Sequence, residues 1–198
     1  RCDGAVSDVI GAVLAGGAGS RLGGSKPAIE LAGRPLLSYP LAALRAVLPQ
    51  VAVVAKQETE LPAVGYGVLI WREPDEPRHP LAGIVEALRR ADGRAVVVLA
   101  CDLPFVDADL VRALVSADAG DAPAVVATTP ERGLQPLCAR YEPQALGALA
   151  DHDPGARTIE VVRALEPATL SVADARLRNI NTPDDLAAAE ALFHDRGT

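Results

Sequence analysis

The sequence lacks an excess of positive charge, a cysteine framework and any long apolar run, and each absence excludes a class of protein. With 19 lysines and arginines against 26 aspartates and glutamates, the net charge is −7, which argues against nucleic acid or an anionic membrane as a partner. Its three cysteines are widely spaced, so they suit neither disulfides nor a zinc site and predict reduced thiols in a cytoplasmic protein. The longest apolar runs, such as 95–101, are too short to span a bilayer, and the start shows no secretory signal.

The 198 residues, 49% of them hydrophobic, are enough to bury one core, and we assign residues 8–195 to a single domain. Strands are predicted at 9–14, 51–55, 67–71, 94–100, 124–127 and 137–141. Helices are predicted at 35–48, 80–91, 108–117, 143–150, from about 155, and at 183–193. This alternation predicts an α/β fold, a Rossmann-like, mostly parallel sheet with helices on both faces. Ligands on such sheets bind beyond the carboxyl ends of the strands.

A glycine-rich segment follows the first predicted strand. Residues 14–26 read LAGGAGSRLGGSK and include five glycines. Glycines let backbone N–H groups approach phosphate oxygens, and Arg21 and Lys26 can neutralise a triphosphate. The segment is not a P-loop, because Ser25 separates Gly24 from Lys26, and it lacks the third glycine of the dinucleotide fingerprint. A flexible surface loop with incidental charges is the alternative, but glycine loops at strand ends usually carry function.

An aspartate directly follows the most apolar predicted strand. Asp102 belongs to the sequence CDLP at 101–104, which places it at the carboxyl end of that strand, on the edge where the glycine segment also lies. A carboxylate there can hold Mg²⁺ against phosphate oxygens. The alternative is that Asp102 only caps the following turn.

The order of the motifs resembles that of the molybdenum cofactor guanylyltransferases, a MobA-like family within the NTP-transferase superfamily. The shared motifs are LAGG at 14–17, RLG at 21–23, Lys26, PLAG at 80–83, CDLP at 101–104, QPLCA at 135–139 and NINTPDDL at 179–186. The resemblance implies a fold of the nucleotide-diphospho-sugar transferase type. It also implies transfer of GMP from GTP to the phosphate of molybdopterin, with or without molybdenum, and release of pyrophosphate.

Carried over by position, the resemblance implies roles for individual residues. The nucleotide would contact Leu14, Ala15, Gly16, Gly17, Lys26, Pro80, Leu81, Gly83 and Asp102. The catalytic residues would be Arg21, Lys26 and Asp102, and Mg²⁺ would bind Asp102 and Asn181. The acceptor would contact Gln135, Arg157, Asn179 and Asn181. Transient contacts with cofactor-delivering proteins or apo-molybdoenzymes are also implied.

The chain departs from the family pattern at Ser25, where an aspartate is usual, and on the base-recognition side. There it offers Ala55 and Lys56 where the family often has an asparagine after the second strand. Where the family has an aspartate after the third strand, it offers Arg72, Glu73 and Asp75 in uncertain register. Two alternatives therefore stay open. One is a related transferase that uses CTP or another NTP, with molybdopterin or another phosphorylated acceptor. The other is a non-catalytic nucleotide-binding homologue.

Overall fold

The computed structural model describes residues 8–16, 22, 24–76, 78–153 and 155–196. Within these ranges it contains nine strands: β1 Val9–Leu14, β2 Glu30–Leu31, β3 Arg34–Pro35, β4 Val51–Lys56, β5 Leu69–Glu73, β6 Ala95–Ala100, β7 Ala124–Thr129, β8 Gly133–Tyr141 and β9 Ala168–Ser171. The same ranges contain six α-helices: α1 Ser38–Arg45, α2 Pro80–Arg90, α3 Ala108–Ser116, α4 Ala145–Ala150, α5 Thr158–Ala164 and α6 Pro183–Arg196. Short 3-10 helices span Lys26–Ala28 and Asp174–Leu177.

Seven strands form one sheet in the order β5-β4-β1-β6-β8-β7-β9. β1 pairs in parallel with β4 and β6, β4 with β5, and β7 with β9. Only β8 runs antiparallel to its neighbours, β6 and β7. The predicted mostly parallel sheet is therefore confirmed, and the carboxyl ends of β1, β4, β5 and β6 lie along one edge.

Helices cover both faces of the sheet, as predicted. In β1, Val9 and Val13 pack on the side of α1 and α3, whereas Ile10 and Ala12 pack on the side of α2, α4 and α5. The strand can serve both layers because successive side chains point to opposite faces. A third cluster, with Tyr39, Phe105 and Phe193 in contact, packs α6 against α1 and the chain after β6. No helix within the described ranges is long and apolar enough to cross a bilayer.

Several predicted boundaries were wrong. The helix predicted at 35–48 spans only Ser38–Arg45, because Pro35 pairs in the β2–β3 hairpin. The strand predicted at 137–141 begins at Gly133, and its pairing with β7 shifts register after Val126. β9 was not predicted, since its four residues alternate between half-buried and exposed and carry little apolar signal.

Residues with local helix-start chemistry mark the beginnings of three helices. Asp107 accepts a hydrogen bond from the N–H of Leu110 at the start of α3 (2.9 Å), and Thr182 accepts one from the N–H of Asp185 in α6 (3.1 Å). Pro80 lies in the first turn of α2, where its missing N–H costs no helical hydrogen bond. In the folded chain the starts of α2 and α6 lie beside the sheet edge described next.

Candidate active site

The ends of β1 and β6 bring the glycine segment and the aspartate together. Leu14 pairs in register with Ala100, and the N–H of Cys101 continues the pairing by donating to the carbonyl of Leu14 (3.1 Å). Asp102 therefore emerges next to residues 15 and 16, and it is 9% exposed. Its own carbonyl accepts from the N–H of Ile180 (3.1 Å), which ties the chain before α6 to the same edge.

A network of polar side chains surrounds Asp102. The Lys26 ammonium donates to Asp102 Oδ2 (2.6 Å) and to Asn181 Oδ1 (2.7 Å). The Asn179 amide donates to the other carboxylate oxygen, Oδ1 (3.1 Å). The Lys26 and Asp102 side chains are each 12% exposed, so solvent screens their attraction only weakly. The structure thus brings together four of the predicted site residues from three distant segments of the chain.

The same network fits a divalent cation. The Lys26 ammonium lies between a carboxylate oxygen and an amide oxygen, which is a position for positive charge. Hard oxygen donors of this kind suit Mg²⁺, which usually takes only one or two carboxylates from a protein and completes its shell with water and substrate phosphate. The described residues contain no group of three or more His, Cys, Asp or Glu side chains that could hold a metal. A metal here would therefore rest on Asp102 and Asn181 together with substrate oxygens.

A first cavity of about 280 Å³ opens beside this network, and we call it the nucleotide cavity. Six of the residues predicted to contact the nucleotide line it: Leu14, Gly16, Lys26, Pro80, Gly83 and Asp102. Gly83 lets α2 pack closely against Leu14 in this wall, since a Cβ at position 83 would lie only 3.2 Å from Leu14 Cδ1. The side chains of Ala15 and Leu81, by contrast, are fully buried in the core and do not reach the cavity. Gly17 and Arg21 lie outside the described residues.

A buried ion pair, Lys56 and Glu73, also lines the nucleotide cavity. Lys56 and Glu73 pair in register at the ends of β4 and β5, and Lys56 Nζ lies 3.4 Å from Glu73 Oε1. Burial raises the pKa of Glu73 above its ordinary value, and the Lys56 ammonium opposes that rise. Glu73 Oε2 is buried and has no hydrogen-bond partner among the described residues. Gly16 packs against the pair, since a Cβ there would lie 2.9 Å from Glu73 Oε1.

A second cavity of about 420 Å³, the acceptor cavity, adjoins the first and shares Pro80 and Leu137 with it. Three of the predicted acceptor residues line this cavity: Gln135, Arg157 and Asn179. The Arg157 side chain is 78% exposed and lies 3.9 Å from Glu160, so most of its charge faces solvent. Asn181 does not line the acceptor cavity and contacts Lys26 instead.

Sequence reasoning missed two residues of this region. Arg132 lines the acceptor cavity and donates from Nη1 to Asn179 Oδ1 (2.9 Å). No local pattern links these two residues, which are 47 positions apart. His79 is half-buried, its Nδ1 accepts a hydrogen bond from the N–H of Leu81 at the start of α2 (3.2 Å), and its ring centroid lies 5.1 Å from that of His152, with the two rings tilted by 30°. An N-cap assignment for His79 could have been suspected from Pro80, which marks the helix start.

Comparisons with known proteins found sequence relatives and a similar solved structure. A molybdenum cofactor guanylyltransferase of Cereibacter sphaeroides is 31% identical over 193 residues, covering 93% of this chain and 97% of the relative. One of Pseudomonas putida is 33% identical over 185 residues, covering 88% and 93%. The crystal structure of molybdopterin-guanine dinucleotide biosynthesis protein A from Archaeoglobus fulgidus superposes with a TM-score of 0.73 and 26% identity, covering 94% of this chain and 99% of that one.

Residues 11–168 match the family model described as the MobA-like NTP transferase domain. That range contains β1 from Gly11 onwards, the Lys26–Asp102 pair and the walls of both cavities up to α5. The chain therefore belongs to the MobA-like NTP transferase family and is a nucleotidyltransferase.

Proposed function

We propose that this protein transfers GMP from GTP to the phosphate of molybdopterin, with or without bound molybdenum, and releases pyrophosphate. The relatives named molybdenum cofactor guanylyltransferase support this substrate pair. The observation that carries the proposal is the Lys26–Asp102 pair at 2.6 Å, which lines the same cavity as Gly16 of the glycine segment.

Lys26 is proposed to bind the triphosphate. In the structure its ammonium donates to Asp102 and Asn181, and a phosphate oxygen can replace either acceptor without loss of a charge-assisted hydrogen bond. The backbone N–H groups of the glycine segment are proposed to add further donors. Arg21 is proposed to neutralise the same phosphates, as its place in the glycine segment suggests.

Asp102 and Asn181 are proposed to hold Mg²⁺ once Lys26 has turned to the phosphates. When bound, the metal supplies neutralisation of the charge that develops on the transferred phosphate. The protein's own contribution is then mostly positioning, because phosphoryl transfer needs little covalent chemistry from side chains.

The Lys56–Glu73 pair in the wall of the nucleotide cavity is proposed to bind the base and to favour guanine. Glu73 Oε2 is a buried acceptor without a partner among the described residues, and Oε1 already faces Lys56. The Watson–Crick edge of guanine presents adjacent N–H donors from N1 and N2, which suit a carboxylate, an acceptor-only group. Cytosine and adenine present one amino group there beside a ring acceptor. A base that leaves the buried carboxylate unpaired should bind poorly.

The acceptor cavity is proposed to hold the pterin phosphate. Arg157 and Gln135 at its wall offer donors, and the shared residues Pro80 and Leu137 place it directly beside the nucleotide cavity. An acceptor phosphate oxygen attacks the α-phosphorus of GTP, a new P–O bond forms, and the bond to the β-phosphate breaks. Pyrophosphate leaves with the electron pair of that bond.

The test is a pyrophosphate-release screen of the four ribonucleoside triphosphates, each with Mg²⁺ and with or without molybdopterin. We expect release only with GTP and the acceptor together. Asp102→Asn should lower the rate by about 10²–10³-fold, whereas the exposed carboxylate variant Asp109→Asn should not change it. A preference for CTP would support the alternative transferase. Absence of turnover with every triphosphate would support the non-catalytic homologue and overturn the proposal.

A further inference from the structure

Arg132 reaches the site from the turn between β7 and β8. Its backbone N–H donates to Thr129 Oγ1 (3.2 Å), a residue only 4% exposed, and Gly133 follows with φ of 67°. A positive φ of this size is natural for glycine and strained for most other residues. The turn therefore has a defined shape, and its arginine side chain crosses to the segment before α6.

The guanidinium of Arg132 binds that segment at several points. Besides Asn179 Oδ1 at 2.9 Å, it donates to the carbonyls of Leu177 and, at 3.4 Å, of Asp174. The Asp174 carboxylate lies 3.8 Å from Nε. Because an arginine fork presents its donors in a rigid plane, these contacts fix both the guanidinium and the side chain of Asn179.

The bond from Arg132 decides which way the Asn179 amide faces. Its oxygen accepts from Arg132, so its NH₂ group is directed at Asp102 Oδ1, 3.1 Å away. The flipped amide would set NH₂ against a guanidinium and oxygen against a carboxylate, and both contacts would be repulsive. Asp102 is in turn held from both sides, by Asn179 on Oδ1 and by Lys26 on Oδ2.

We propose that Arg132 is a positioning residue, which acts through Asn179 to orient the carboxylate of Asp102 for the transfer step. The proposal rests on the proposed function insofar as Asp102 serves nucleotidyl transfer. Arg132 also lines the acceptor cavity, so direct binding of the acceptor phosphate is the competing role that the test must separate.

The test is a double-mutant cycle of Arg132→Met and Asn179→Ala, measured as pyrophosphate release. We expect Arg132→Met to lower kcat about 10–100-fold and to raise the Mg²⁺ concentration for half-maximal rate, with little change in KM for the acceptor. In the Asn179→Ala background the same change should have almost no further effect, because the two residues act in one chain of contacts. Arg132→Lys should restore part of the rate, and Arg112→Met on α3 is the matched exposed control.

A merely structural arginine would lower the melting temperature but leave kcat and the Mg²⁺ requirement unchanged in the folded variant. An arginine that binds the acceptor would raise the acceptor KM, and its effect would add to that of Asn179→Ala. Either result overturns the proposal.

One readout does not need turnover: the side-chain NH₂ resonances of Asn179, assigned by their loss in Asn179→Ala, should shift in Arg132→Met. If wild-type protein showed no turnover while these resonances still shifted, the proposed function would fail and the positioning contact would stand. If the resonances did not move, the positioning contact would be refuted whatever the activity.

Discussion

Replacing Lys26 by methionine should strengthen metal binding in the absence of nucleotide. In the structure the Lys26 ammonium lies on Asp102 Oδ2 and Asn181 Oδ1, the same oxygens proposed to bind Mg²⁺. A metal ion must therefore displace the lysine, unless a triphosphate has already drawn it away. This reasoning predicts that metal and nucleotide bind cooperatively in the wild type and that the lysine is the source of the coupling.

The size of the effect follows from the bond that the metal has to break. A hydrogen bond between charged groups contributes about 1.5–3 kcal/mol, and the 2.6 Å contact between side chains each 12% exposed belongs to that class. Since about 1.4 kcal/mol corresponds to a factor of ten, the Kd for metal alone should fall about tenfold to a hundredfold in Lys26→Met. The variant should at the same time bind triphosphate more weakly, because it has lost a phosphate ligand.

The assay is Mn²⁺ binding followed by electron paramagnetic resonance, with and without GTP, at constant ionic strength. Arg112→Met removes the same unit of charge from an exposed ion pair on α3 and serves as the control for net charge. Equal Mn²⁺ affinity of wild type and Lys26→Met without nucleotide would refute the idea that the metal must displace the Lys26 ammonium. Equally tight binding by the control variant would show that only overall charge matters.

Two further predictions concern stability and thiol chemistry. Hydrogen bonds from the N–H of Asn181 and from Thr182 lower the pKa of Asp185. The ionised Asp185 carboxylate therefore stabilises the folded state above the ordinary pKa of 3.8, and this stabilisation is lost as the pH falls through the lower pKa of the folded state. Asp185→Asn should lower the free energy of unfolding by about 0.3–1 kcal/mol at pH 7, because it removes a negative charge from the first turn of α6, and urea titrations should show this difference shrinking towards pH 3; a difference independent of pH would contradict the assignment. Burial raises the pKa of Cys101 and of Cys138 to about 12, so peptide mapping should find neither alkylated by iodoacetamide at pH 8 until the protein is unfolded; rapid alkylation of either in the folded protein would be the contrary result.

The base end of the site illustrates where sequence reasoning stopped. Lys56 and Glu73 were noted only among several residues that could occupy the two departing positions, because nothing local shows which residue of β5 lies beside which residue of β4. The parallel register, Lys56 beside Glu73, depends on how the two strands pack on α2 and its neighbours. A shift of one residue would have directed Glu73 to the opposite face of the sheet.

The sequence alone was enough for the features that depend on neighbours along the chain. These are the buried strand that ends in glycines, the carboxylate after β6 and the proline and threonine that begin α2 and α6, all of which follow from periodicity and backbone chemistry. Tertiary structure decided the contacts that depend on strand order. Lys26 and Asn181 are 155 positions apart, and Arg132 and Asn179 are 47 apart. Hydrogen-bond geometry at such separations is set only when the sheet assembles, because no local interaction distinguishes one distant partner from another.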